Sequence, residues 1–78
     1  MTAALSDLAS VVVEAFQKVL GLDDVPLTAN FFRLGGTSLD MVKVIALLKQ
    51  RGLNVTARQF VTNPTVAGVI QAVTPPPH

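Results

Sequence analysis

Ser38 is the side chain in this 78-residue sequence best placed to do chemistry. It follows Phe31-Phe32-Arg33-Leu34-Gly35-Gly36-Thr37 and opens an apolar run that begins at Leu39. A serine that acts as a nucleophile needs a base within reach. The one histidine is His78, the last residue, and the hydrolase pattern Gly-x-Ser-x-Gly fails because Asp40 stands in its final position. No phosphate-binding loop ending in Gly-Lys-Ser/Thr is present. The acids Asp7, Glu14, Asp23, Asp24 and Asp40 form no evident acid–base pair, and with no cysteine there is no thiolate metal site. The sequence therefore predicts a chain that catalyses nothing by itself and binds no metal. Two roles remain for Ser38: capping a helix, which serine does well, or modification by another protein. Gly35-Gly36 supports the second by lowering the bulk beside the serine. A helix N-terminus also suits a phosphodiester, through its free N–H groups and its dipole.

The elements that must hold Ser38 are helical. Leu8, Val12, Ala15, Phe16, Val19 and Leu20 recur at spacings of three and four, which predicts a helix over about residues 7–20, with Ser6 or Asp7 as its cap and Gly21 as its end. Residues 22–36 show no sustained period. Leu22, Val25, Leu27, Phe31, Phe32 and Leu34 supply packing of its own to this long loop, so the loop is expected to be ordered. A second helix is expected from about Ser38 to Gln50. Its apolar residues cover nearly the whole circumference, which predicts deep burial, a face left for a partner, or both. Thr56 can cap a brief helix through about Val61, and Pro64 stops it. Thr65 can cap a last helix with Val66, Val69, Ile70 and Val73 on its core face. Residues 74–78, Thr-Pro-Pro-Pro-His, form a stiff extended tail.

The size fits one domain: residues 1–78, with a helical bundle over 6–73. Half the residues are hydrophobic and only 14% are charged, against about 25% in a typical soluble domain. Some apolar surface is therefore expected to stay exposed. The net charge is +1, and the six basic residues are dispersed without Tyr or Trp beside them. That argues against nucleic acid and against a helix-turn-helix DNA binder. No apolar run approaches the ~18 residues of a membrane span, and the first residues carry no basic signal region. The expectation is a cytoplasmic protein.

The stretch Asn30-Phe31-Phe32-x-Leu34-Gly35-Gly36-x-Ser38-Leu39 resembles the attachment site of peptidyl carrier (thiolation) domains of nonribosomal peptide synthetases, an acyl carrier protein-like family. Val19-Leu20-Gly21-Leu22 is similar to the end of the family's first helix. Phe60 with Asn63-Pro64-Thr65-Val66 is similar to the approach to its last one. The resemblance implies an all-α, right-handed bundle of three main helices plus a short one. It implies that Ser38, flanked by Gly36, Thr37 and Leu39, receives 4'-phosphopantetheine from coenzyme A by way of a phosphopantetheinyl transferase. The arm's thiol would then carry aminoacyl or peptidyl groups among adenylation, condensation, thioesterase or tailoring enzymes in nonribosomal peptide or hybrid polyketide biosynthesis, with the isolated domain a monomer. Thr37 departs from the Asp or His usual before the serine, and Ala29 from a frequent acid. The weakly basic balance disfavours the strongly acidic fatty-acid carriers, and the paired Phe and paired Gly favour the peptidyl over the polyketide type. Val42, one turn beyond Ser38 on the same face, is a candidate partner contact, with Met41 and Val61 as further ones. The rival readings are a polyketide-type carrier and an unmodified helical docking module.

Overall fold

A computed structural model describes residues 4–73, with side chains from Leu8 onward. These residues form four helices and no strand: α1 (Ala4–Leu20), α2 (Ser38–Gln50), α3 (Ala57–Thr62) and α4 (Val66–Val73). α1 packs against α2 and α4, and the short α3 touches both α2 and α4. The all-α bundle is the one expected. Residues 74–78, read as an extended tail, lie outside the described residues.

α1 begins earlier than its periodicity suggested. Ser6 and Asp7 fall inside the helix rather than capping it, because Ala4 and Leu5 are strong helix formers and extend it towards the N-terminus. Gly21 closes the helix as expected, in the left-handed conformation at φ +69°. Its N–H and that of Leu22 both donate to the Gln17 carbonyl, at 2.8 and 3.2 Å.

Three phenylalanines from three segments make the centre of the core. Phe16 of α1, Phe31 of the long loop and Phe60 of α3 are fully buried. Phe31 meets the other two edge to face, with ring centroids 5.1 and 5.0 Å away. That geometry sets the positive ring edge against the negative face of its neighbour. The loop is ordered because it contributes one of these rings, and Val25 is buried with it. Main-chain bonds fasten it to the first turn of α4 and the segment just ahead of it. Phe31 N–H donates to the Pro64 carbonyl at 2.7 Å, and Ala67 N–H donates to the Leu27 carbonyl at 3.0 Å.

Two expected packing residues of this loop are not buried. Leu27 offers its carbonyl to α4 while its side chain is exposed. Phe32 sits at the rim, edge-on to Phe31 and Phe60, since Phe31 already fills the central position. Thr56 and Gln59 cap α3 reciprocally, at 3.0 and 2.9 Å. Thr65 starts α4 by accepting the Gly68 N–H at 2.9 Å.

Candidate attachment site

The local chain between Asn30 and Asp40 is built by short-range hydrogen bonds. Asn30 Oδ1 accepts the N–H groups of Phe32 (2.8 Å) and Arg33 (3.2 Å), and its carbonyl accepts from Leu34 at 3.0 Å. This folds the loop into a turn that drives Phe31 inward. Gly35 then takes φ +101°, a conformation open to glycine and strained for other residues. Gly36 donates to the Phe31 carbonyl at 3.1 Å, and a Cβ at Gly36 would overlap the Phe31 ring, with Cδ2 at 2.6 Å. The smallness of Gly36 is therefore used inward, to seat a core aromatic.

The cap of α2 is Thr37, not Ser38. Thr37 is extended (φ −108°, ψ 174°), and its hydroxyl accepts the Asp40 N–H at 3.1 Å. The Asp40 carboxylate accepts the Thr37 N–H in return, at 3.0 Å. This is a reciprocal capping box, and the spacing Thr-x-x-Asp was its sequence signal. Neither the Thr37–Asp40 pairing nor the turn closed by the Asn30 side chain is among the expectations drawn from the sequence. Ser38 is thereby the first helical residue. Its side chain is exposed, and its hydroxyl finds no hydrogen-bond partner among the described residues. The N–H groups of Ser38 and Leu39 likewise have no acceptor there, as expected in the first turn of a helix.

The other candidate residues separate clearly. Leu39 is 66% exposed and Val42 55%, both on α2, while Val61 on α3 is 53% exposed. Met41 is 8% exposed and belongs to the core with Val44 and Leu48. As placed it offers little surface to a partner, unlike Val42 beside it. The helix that read as apolar all round thus has a buried side and an uncovered one.

This site presents a hydroxyl without activating it. No histidine lies among the described residues, and the nearest acid in sequence, Asp40, is engaged with the Thr37 main chain. No group of three or more potential metal ligands occurs among the described residues, and none of their helices is long and apolar enough to cross a membrane. An exposed, unbonded hydroxyl beside two free N–H donors fits a phosphate-linked group on Ser38.

A helical bundle that holds one free serine at the start of its second helix has the form of a carrier domain. Residues 10–73 match the family model "Phosphopantetheine attachment site", and the chain belongs to that family, whose group is phosphopantetheine. Its type is the peptidyl carrier. The fold superposes on a solved nonribosomal PCP domain with TM-score 0.78 and 30% identity, covering 86% of this chain and 87% of the other. A second solved structure, a prototype for the peptidyl carrier domains of modular peptide synthetases, gives TM-score 0.76 and 26% identity, covering 94% and 92%. Among curated proteins, one of the plipastatin synthase polypeptides of Bacillus subtilis is 36% identical over 61 residues, 78% of this chain. Chondramide synthase cmdD of Chondromyces crocatus is 36% identical over 59 residues, 76% of this chain. The match spans about 2% of the length of each of these two synthases.

Proposed function

We propose that this chain is a single carrier domain that bears 4'-phosphopantetheine on Ser38 and shuttles thioester-bound aminoacyl or peptidyl intermediates between catalytic domains in nonribosomal peptide biosynthesis. The observation that carries this reading is the division of roles at the start of α2. Thr37 and Asp40 satisfy the cap, so Ser38 stays exposed with its hydroxyl free.

In arm transfer, Ser38 Oγ displaces adenosine 3',5'-bisphosphate from coenzyme A. Its proton passes to a base on the phosphopantetheinyl transferase, since none of the described residues offers one beside it. Gly36 and Thr37 set the angle at which the hydroxyl is presented. The unbonded Ser38 and Leu39 N–H groups would be available to hold a phosphodiester on Ser38, where the end of the helix favours negative charge. When bound, the arm supplies a thiol that holds an acyl group as a thioester. The chain itself is non-catalytic, works as a cytoplasmic monomer when isolated, and meets adenylation, condensation, thioesterase or tailoring enzymes through the exposed side of α2 and α3, with Val42 and Val61 in contact. The synthetase relatives, in which such domains are parts of far longer chains, support this assignment of partners.

The absence of cysteine gives a clean test. After incubation with coenzyme A and a broad-specificity transferase, then desalting, the chain should titrate with one thiol per molecule. A folded chain that stays free of thiol would count against the carrier reading.

A further inference from the structure

The side of α2 and α3 that faces solvent carries two cations, Lys43 and Arg58, and one carboxylate, Asp40, held in the cap of α2. Adjacent Val42 and Lys43 each stand three or four residues from both Leu39 and Ala46, so the four form one stripe, and all four are exposed. On α3, which packs against α2, Arg58 precedes Val61 by one turn and both are exposed. Neither Lys43 nor Arg58 has a carboxylate within ion-pair distance among the described residues, where Arg51 is paired with Glu14 at 3.9 Å. The acids are elsewhere or engaged. Glu14, Asp23 and Asp24 lie on α1 and the loop after it, α3 has no acid, and Asp40 of α2 is bonded to the Thr37 main chain. Exposed Leu39 and Val42 thus stand beside Lys43 on α2, and exposed Val61 stands one turn from Arg58 on the α3 packed against it; each of the three apolar side chains is more than half exposed and neither cation is ion-paired among the described residues.

We propose that this face docks a protein partner whose contact surface has an apolar centre edged by carboxylates, and that Lys43 and Arg58 select it against basic surfaces. The identity of that partner as a catalytic domain rests on the carrier reading; the sign of its charge rests on the face alone. Charges at the edge of an interface act mainly by steering encounter and by penalising like-charged partners. Exposed apolar side chains bounded by polar ones mark a contact surface. Two cations are too few for an anionic membrane, where recognition takes a cluster of about four or more.

The test is an NMR titration of the isotope-labelled chain with two designed amphipathic helical peptides of identical leucine face, one flanked by Glu and the other by Lys. The Glu-flanked peptide should shift the amides of Leu39, Val42, Lys43, Arg58 and Val61. It should bind about tenfold more tightly than its Lys-flanked counterpart, with the gap narrowing as salt is raised. The double variant K43E/R58E, altered only at exposed positions, should reverse the preference. Equal affinities, no shift with either peptide, or shifts confined to α1 would overturn the proposal. Retention on phosphatidylglycerol vesicles at physiological salt would overturn the assignment to a protein. Ser38→Ala should titrate like the wild type, so a failure of docking and a failure of arm attachment are read separately.

Discussion

At the residue scale, Thr37, Ser38 and Asp40 show how a chain keeps a hydroxyl available at a helix start. Serine is a good cap, and a cap serine spends its oxygen on a backbone N–H. Here that task falls to Thr37, whose bond to Asp40 N–H leaves Ser38 Oγ unengaged. Thr37→Ala should cost about 1 kcal/mol of stability, read as a lower urea midpoint, while Thr37→Ser, which keeps the hydroxyl, should stay close to wild type. Equal losses in the two variants would argue that the methyl group, not the cap, matters. The sequence marks Ser38 as the proposed attachment residue mainly through the family resemblance of the stretch around it, with the paired glycines before it in support. The competition between Ser38 and Thr37 for the cap was not legible there, because both are hydroxyl residues and only the backbone at Thr37 settles which one is extended. The role of Gly36 was equally hidden. Its constraint is the Phe31 ring, five residues back, which only the folded turn brings against it.

At the element scale, α2 explains why periodicity gave no direction. A helix with apolar residues at nearly every position has no polar side to mark its outside, so the inward face is chosen by neighbours. α1 and Phe31 of the loop complete a core that takes Met41, Val44 and Leu48. Adjacent Met41 and Val42 therefore have opposite fates, and substitution separates them. Met41→Ala should destabilise by about 2–5 kcal/mol, as a buried large-to-small change does, whereas Val42→Ala should stay within about 0.5 kcal/mol. Chemical denaturation of the two variants checks this, and comparable losses would mean that Val42 is packed. The boundaries of α2, α3 and α4 were close to legible because Gly52, Pro64 and the capping threonines are local signals. The start of α1 was not, since a candidate cap inside a good helix-forming sequence does not end it.

At the scale of the whole molecule, 78 residues without cysteine must be held by packing alone. Domains are stable by roughly 0.05–0.15 kcal/mol per residue, so the margin is several kcal/mol. Phe16 touches both other central rings. Its replacement by Ala should cost about 3–5 kcal/mol, enough to remove most of the cooperative thermal transition seen by circular dichroism; an unshifted melting curve would contradict a core centred on the three rings. The bundle itself was legible from apolar spacing and turn residues. That its centre is an aromatic trio closed by a loop residue was not, because Phe31 and Phe32 are indistinguishable in type and only one of them fits. On the carrier reading, cap, helix and core together serve to present Ser38. Intact mass after incubation with coenzyme A and a broad-specificity phosphopantetheinyl transferase tests that reading most directly, with folded Ser38→Ala alongside. The wild type should gain one phosphopantetheine and the variant none. A wild type that gains nothing from an active transferase, or a variant that still gains the arm, would contradict it.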